Sequence, residues 1–290
     1  MRHTHYLETF HQQNQRALHM KRHEGRWYYG KIPISRIILR NTKALLPSRV
    51  RRIFRLLLNL LLYSGIKHCC PFCGARLRRF AIFKPSFSRP GHRAICPYCL
   101  SLPRTRGIWI YMQTKGLLQQ RMRMLHIAPE LCLENKLKKI ENVDYTRIDL
   151  YAENVDVRCS LTHLSFCSDV FDLIYCSNVL EHINEDRLAI SELFRVTKRG
   201  GLAIIQVPVE GERTFEDATV TCPIERDRLF GQWDHVRLYG RDVKQRLERA
   251  GFSVQECVTP DSLGLSDEQI KLYGIAERQL VHICYKRQRV

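Results

Sequence analysis

Four cysteines form the clearest chemical pattern in the sequence. Cys70 and Cys73 lie in "HCCPFCG", Cys96 and Cys99 lie in "AICPYCL", and 22 residues separate the two pairs. Two C-x2-C pairs at this separation are typical of a site in which four thiolates bind one zinc ion tetrahedrally. Because the thiolates would fill all four coordination positions, we expect the zinc ion to be structural and the surrounding residues, 67–107, to form a zinc ribbon.

The residues after the ribbon alternate between short apolar runs and helical patterns. Strands are predicted at "RMLHIA", "VDYTRIDL", "VDVRC", "FDLIYCSNV" and "LAIIQVPV", with "GFSVQECV" and "QLVHICYK" as an antiparallel finish. Helices fit at 130–140 and 184–198, the second ending at a C-cap in "KRGG". Strands separated by helices indicate an α/β domain with a parallel sheet, whose ligands bind at the carboxyl ends of the strands.

One stretch in this half is specific to a family. "FDLIYCSNVLEHINEDRLAISELFRVTKRGGLAIIQVPV" resembles the fourth to fifth strands of class I S-adenosylmethionine-dependent methyltransferases of the type-11 group. The ribbon followed by "CPYCLSLPRTRGIWIYM" is similar to zinc-bearing members linked to surface-polysaccharide modification. The resemblance implies a Rossmann-like seven-stranded methyltransferase sheet over residues 108–290, with S-adenosylmethionine as the cofactor.

The resemblance also assigns cofactor-binding positions. "MLHIAPELC" stands where many members have a glycine-rich first loop, so His126, Ala128 and Glu130 would face the methionine part of the cofactor, and the Glu130 carboxylate could pair with its ammonium group. Further along the chain, the same alignment with the family gives Asp149 as the partner of the ribose hydroxyls and Ser160 as the partner of the adenine amino group. Ser177 and Asn178 would line the methyl-donor pocket.

The connection after the fifth strand would overhang the cofactor's methyl group. It contains His235, whose neutral imidazole could take a proton from a hydroxyl near pH 7, with Asp234 as its neighbour in sequence. Arg226 and Arg237 could hold an anionic acceptor. The alternative is a structural loop with satisfied ion pairs, and Glu181 and His182 could likewise be purely structural.

Charge divides the chain into two parts. Residues 1–124 carry 25 lysines and arginines against two acidic residues, whereas residues 125–290 carry 22 against 27. Residues 1–66 are predicted to be a basic arm that seeks phosphate, anionic lipid or an acidic polymer. The arm contains a helix with Ile53, Leu57, Leu60 and Leu61 on one stripe, which would either pack on the protein's own core or lie in the plane of a membrane.

Composition also bears on location and function. The first residues lack the apolar core of a signal peptide, so we expect a cytoplasmic protein with reduced cysteines. A peripheral position at the inner membrane surface is a further possibility. The favoured function is O-methylation of a sugar or surface glycolipid. Two alternatives are methylation of RNA bound by the basic ribbon, and a non-catalytic zinc adaptor with a methyltransferase-like scaffold. Oligomeric state is not predicted.

Overall fold

The computed structural model describes residues 48–84, 91–275 and 279–288. The part of the predicted arm before residue 48 lies outside these ranges. The described helices are α1 (Ser48–Tyr63), α2 (Pro103–Thr114), α3 (Leu131–Leu137), α4 (Asp186–Val196), α5 (Pro223–Phe230), α6 (Val243–Arg249) and α7 (Asp267–Tyr273), with short 3-10 helices at Leu180–His182 and Asp261–Leu263. The described strands are β1 (Ser64–Cys69), β2 (Arg76–Leu77), β3 (Ala81–Phe83), β4 (His92–Ile95), β5 (Met122–Ile127), β6 (Val143–Asp149), β7 (Val157–Arg158), β8 (Phe171–Ser177), β9 (Thr197–Gln206), β10 (Phe215–Glu216), β11 (Arg237–Leu238), β12 (Ser253–Thr259) and β13 (Gln279–Tyr285).

Seven strands form the central sheet, in the order β12-β13-β9-β8-β5-β6-β7. Strands β5 to β9 pair in parallel, and β13 is antiparallel to both β9 and β12. This confirms the predicted Rossmann-like sheet with its antiparallel finish. All carboxyl ends of the five parallel strands therefore lie at one edge of the sheet.

Both faces of the sheet are covered, as the apolar runs predict. Along β5, Met124 packs with α2 and α3 on one face, and Leu125 packs with α4 and α6 on the other. Side chains alternate along a strand, so a strand buried on both faces must be apolar at nearly every position.

The predicted C-cap in "KRGG" is wrong. Helix α4 ends at Val196, and residues 197–206 already form β9. Gly200 has a φ of +80° and its N–H bonds the carbonyl of Lys286, while a Cβ at Gly201 would lie 2.8 Å from the Asp172 carbonyl oxygen. Gly200 therefore supplies a left-handed backbone conformation within β9 and Gly201 allows close strand packing, and neither glycine ends the helix.

The ribbon consists of two small hairpins, β1–β2 and β3–β4, each associated with one cysteine pair. Its buried residues, among them Phe72 and Leu77, belong to the same apolar cluster as Trp109 and Met112 of α2 and Met124 of the central sheet. The predicted boundary between residues 107 and 108 falls inside α2. The ribbon is thus packed on the α/β domain through a shared core.

Helix α1 is attached to the ribbon by an unexpected side. Asn59, which the helical pattern places on the polar stripe, is buried and donates to the carbonyl of Pro97 at 3.0 Å. Arg78 closes the end of the helix by donating to the carbonyls of Leu61 and Leu62. The predicted apolar stripe points outward, with Leu61 76% exposed and Ile53, Leu57 and Leu60 more than half exposed. Among the described residues, no helix is long and apolar enough to cross a membrane.

Candidate functional site

The loop after β5 keeps the backbone shape of a glycine loop without the glycine. Ala128 has a φ of +48°, in the left-handed region that glycine adopts most easily. Its N–H bonds the carbonyl of Ile148 on the neighbouring strand, which holds the loop in this conformation. The substitution in "MLHIAPELC" thus changes side chains while retaining the turn at the strand end.

Glu130 in this loop is positioned by a buried hydrogen-bonded chain. Nε2 of His126 lies 3.0 Å from Oε2 of Glu130, and Nδ1 of the same ring lies 2.7 Å from the Tyr145 hydroxyl. Because a carboxylate only accepts, Nε2 carries a proton and donates it to Oε2 of Glu130. Burial alone would raise the pKa of Glu130, but the hydrogen bond and charge of His126 outweigh burial and lower it. Glu130 is therefore a fixed carboxylate, and both ring nitrogens of His126 are engaged in holding it.

Arg104 of α2 is a residue near this loop that sequence reasoning left without a role. Its positive charge also contributes to lowering the pKa of Glu130. The two residues form no direct ion pair, and within the described part of the chain neither Nε of Arg104 nor Oε1 of Glu130, both buried atoms, has a hydrogen-bond partner. A cation and an anion are thus held apart, each with an unused hydrogen-bonding atom. The signal in the sequence is an arginine five residues after Cys99, the last ribbon cysteine.

The other predicted cofactor residues follow the neighbouring strands along the same edge of the sheet. Asp149 ends β6, and its Oδ1 accepts from the N–H groups of Tyr151 and Ala152, which fixes the carboxylate. Ser160 follows β7 and its hydroxyl lies 2.7 Å from that of Thr162. At the end of β8, Ser177 donates to Gln206 and Asn178 has a φ of +53°. These residues lie after β6, β7 and β8 as their assigned order requires.

A second cluster follows β8 in the 3-10 helix Leu180–His182. Glu181, His182 and His235 each present one ligand-type atom, and these atoms lie within 4.8 Å of one another. Glu181 is fully buried, and among the described residues neither of its carboxylate oxygens has a hydrogen-bond partner. The rings of His182 and His235 meet edge to face with centroids 4.7 Å apart. The sequence interpretation chose His235 alone, because the approach of positions 181 and 235 is a tertiary contact.

Both histidine rings are oriented through Nδ1. The Nδ1 of His235 donates to the carbonyl of Phe230 at 2.9 Å, and Nδ1 of His182 lies 3.3 Å from Oδ2 of Asp234. Asp234 therefore orients His182, not its sequence neighbour His235 as expected. Burial lowers the pKa of His235. For His182 burial acts in the same direction, but the hydrogen bond with Asp234 and the charge of Glu181 outweigh it and raise the pKa.

Arg237 does not fit its predicted role as a ligand for an anionic acceptor. It is 4% exposed and donates to the carbonyls of Leu180, Ile183 and Asn184 on either side of the cluster. Its Nε also pairs with Glu216 at 2.9 Å. Since its donors are committed to the backbone, Arg237 is a positioning residue for Glu181 and His182. Arg226 donates through Nε to the carbonyl of Val220, and its binding of an acceptor remains a prediction.

The four ribbon cysteines lie together as predicted. The sulfurs of Cys70 and Cys99 are 3.6 Å apart, those of Cys73 and Cys96 are 3.7 Å apart, and all four lie within 4.8 Å of one another. Each pair sits in the same backbone turn, with the N–H of the fourth residue after the first cysteine bonding back to that cysteine's carbonyl. This donor set and its spacing are compatible with a tetrahedral zinc ion.

Leu100 and Arg106 show how the second cysteine turn is stabilised. Leu100 has a φ of +68°, so it adopts the left-handed conformation that Gly74 supplies in the first turn. Arg106 is fully buried and donates to the carbonyls of Ala94 and Ser101 beside the cysteines, and to those of Tyr273 and Gly274 at the end of α7. Burial lowers the pKa of Arg106, against the opposing charge of the thiolates. Arg106 thus ties the ribbon to the α/β domain.

Comparison with known proteins agrees with this geometry. The family model described as a methyltransferase domain, of the type-11 group, matches residues 123–205. A comparison with curated protein sequences found no match. Among solved structures, the [4+2]-cyclase SpnF is 14% identical with a TM-score of 0.48, and the match covers 82% of this chain and 96% of that chain.

Two further solved structures are methyltransferases. Phosphoethanolamine N-methyltransferase 2 of Haemonchus contortus is 14% identical with a TM-score of 0.41, over 62% of this chain and 56% of that chain. The 1,6-didemethyltoxoflavin-N1-methyltransferase of Burkholderia thailandensis is 13% identical with a TM-score of 0.42, over 64% and 83%. These low scores say nothing about the acceptor. Residues 123–205 thus match the methyltransferase-domain family model, and the strand order of the central sheet agrees with the fold predicted from the resemblance.

Proposed function

We propose that the chain transfers the methyl group of S-adenosylmethionine to a hydroxyl oxygen of a sugar, in a glycan or glycolipid. The observation that carries this proposal is the buried cluster of Glu181, His182 and His235 at the carboxyl end of β8. A hydroxyl must lose a proton when it attacks the methyl group, and a cluster with a neutral imidazole beside a carboxylate suits that loss. The sugar as acceptor rests on the resemblance of the ribbon to members linked to polysaccharide modification.

The cofactor's amino-acid end fits the residues of the first loop. This end carries an ammonium and a carboxylate group, and the site offers Oε1 of Glu130 and Nε of Arg104, two buried atoms that have no hydrogen-bond partner among the residues the structure describes. In our proposal Glu130 accepts from the ammonium group and Arg104 donates to the carboxylate. A ligand with both charges would satisfy two buried atoms that are otherwise costly to leave unpaired.

The remaining cofactor contacts follow the strand order. Asp149 would accept from the ribose hydroxyls, Ser160 would bond the adenine amino group, and Ser177 and Asn178 would line the methyl-donor pocket. The cofactor supplies the reactive sulfonium methyl group, so the protein's part is to align it with the acceptor and exclude water. Within that arrangement His235 has Nε2 available, because Nδ1 is bonded to Phe230, and we assign it the hydroxyl proton.

Helix α1 supports a position at a membrane surface. Its exposed apolar stripe is flanked in sequence by Arg49, Arg51, Arg52 and Arg55. Exposed apolar residues next to arginines favour binding to anionic lipid, with the helix in the plane of the membrane. A glycolipid acceptor would be found at such a surface.

The test is transfer of a labelled methyl group from S-adenosylmethionine into separated glycan, lipid and RNA fractions. Label in the glycan or glycolipid fraction, stable to base and released as a methyl ether of a sugar, is expected. If the label is found only in RNA, the acceptor is RNA and the proposed sugar acceptor is wrong. If no fraction is labelled although the protein binds the cofactor, the proposed acceptor class is wrong.

A further inference from the structure

The cluster of Glu181, His182 and His235 has a composition that differs from an ordinary proton-transfer pair. It combines one carboxylate with two imidazoles, all buried or half-buried, and their ligand-type atoms lie within 4.8 Å of one another. Two His side chains and one carboxylate form a donor set that binds divalent transition-metal ions. We propose that these three residues bind a divalent cation, distinct from the zinc ion of the ribbon.

The carboxylate gives the first argument. Glu181 is 0% exposed, and neither of its oxygens accepts a hydrogen bond from any described residue. A buried carboxylate without partners is strongly unfavourable, and such groups are normally paired or coordinate a metal. By contrast, the carbonyls around it are engaged, since its own carbonyl accepts from the N–H of Val236 and Arg237 donates to the carbonyl of Leu180. The fold thus fixes the residue and leaves its oxygens open.

The two imidazoles give an independent argument. Histidines that ligate metals usually donate their other ring N–H to a carboxylate or a backbone carbonyl, which fixes ring and tautomer. His182 has Asp234 at Nδ1, and His235 has the Phe230 carbonyl at Nδ1. In each ring Nε2 is then the nitrogen with an available lone pair. Both outer-shell partners of a metal site are present.

The donor set also restricts the ion and its role. Nitrogen ligands favour Mn²⁺, Fe²⁺, Co²⁺ or Zn²⁺ over Mg²⁺ and Ca²⁺, which prefer all-oxygen sites. Three protein ligands leave coordination positions open for an exchangeable group. If the proposed methyl transfer holds, an acceptor hydroxyl in an open position has a lowered pKa. Its proton leaves to solvent while the methyl group moves from the cofactor sulfur to the oxygen, and His235 is then a ligand instead of the base.

The test uses the full chain with zinc already bound to the ribbon, titrated with Mn²⁺ and followed by the electron paramagnetic resonance signal of free Mn²⁺. One Mn²⁺ per chain is expected. Glu181→Gln and His235→Ala should each weaken binding by at least about 100-fold, and Asp234→Asn by about 10- to 100-fold, the range known for outer-shell partners. His163→Ala removes an exposed histidine and should bind like the wild type.

Thermal unfolding keeps the test decisive for each variant. Without Mn²⁺, Glu181→Gln should melt at or above the temperature of the wild type, because it removes an unpaired buried charge. Mn²⁺ should raise the melting temperatures of the wild type and His163→Ala, but not that of Glu181→Gln. Absence of Mn²⁺ binding to the wild type, or unchanged binding in Glu181→Gln, overturns the metal site and leaves His235 as the base. Because no step of this test uses methyl transfer, its failure is separable from failure of the proposed acceptor.

Discussion

Replacement of Glu130 by glutamine tests how the substituted first loop holds the cofactor. Glutamine keeps the shape and can still accept from Nε2 of His126, which now lies 3.0 Å from Oε2, but it loses the charge that would face an ammonium group. A hydrogen bond between charged groups is worth about 1.5–3 kcal/mol when buried. The Glu130 side chain is 23% exposed, so the lower part of that range applies, and affinity should fall about 10- to 50-fold.

Two ligands separate this effect from general damage to the site. Calorimetry with S-adenosylhomocysteine should show the loss, whereas methylthioadenosine, which lacks the amino-acid end, should bind wild type and Glu130→Gln equally. Arg104→Gln should likewise weaken S-adenosylhomocysteine, and should not affect decarboxylated S-adenosylmethionine. Glu134→Gln is the matched control, since Glu134 pairs with Lys138 and Arg147. Equal affinity of wild type and Glu130→Gln for S-adenosylhomocysteine would refute the pairing with the ammonium group.

Four other predictions concern stability, positioning, zinc and membrane binding. Burial lowers the pKa of His282 to about 4 from an unfolded value of 6.5, so stability present above pH 6.5 is lost as pH falls towards 4, by at most about 3 kcal/mol. In denaturant unfolding, the free energy of unfolding of His282→Leu should therefore fall less steeply between pH 6.5 and 4 than that of the wild type. The same pH dependence in both proteins would contradict the lowered pKa of His282. The lysine in Arg237→Lys cannot bridge the three carbonyls around the cluster, so the rate of methyl transfer should fall at least about tenfold while the affinity for S-adenosylhomocysteine is unchanged. The control Arg241→Lys, at an exposed position, should have little effect. Equal activity of both variants would exclude positioning by Arg237. Chelation of the ribbon metal should lower the melting temperature of the whole domain, because ribbon and sheet share one core; an unchanged melting curve after complete zinc loss would contradict this. Leu57→Glu with Leu61→Glu should abolish flotation with vesicles containing phosphatidylserine, and flotation of the double variant would remove α1 as the contact.

The fold was largely predictable because its signals are local. Apolar runs such as residues 171–177 and the helical pattern of residues 186–196 act through neighbours in the chain, and the paired cysteines fix the ribbon by spacing alone. "KRGG" was misinterpreted because a helix C-cap and a close strand contact both favour glycine. Only the contact of Gly201 with the carbonyl of Asp172, on the adjacent strand, distinguishes them.

The site was predictable only where it follows strand ends. Glu130 and Asp149 were assigned through the family resemblance, and the structure places Asp149 at the end of β6 and Glu130 in the loop after β5. The partnership of Glu181 with His235 joins two elements about fifty residues apart in sequence, and the committed donors of Arg237 depend on the same approach. The sequence also could not predict which face of α1 is exposed, because an amphipathic pattern shows two faces but not which of them packs against the ribbon.

A calorimetric titration of the zinc-loaded chain with S-adenosylmethionine tests whether a first loop without glycines binds this cofactor. We expect one saturable site per chain, competed by S-adenosylhomocysteine and weakened by Glu130→Gln. If the folded protein gives neither heat nor displacement of a labelled cofactor, the loop does not bind S-adenosylmethionine, and a non-catalytic scaffold is favoured instead.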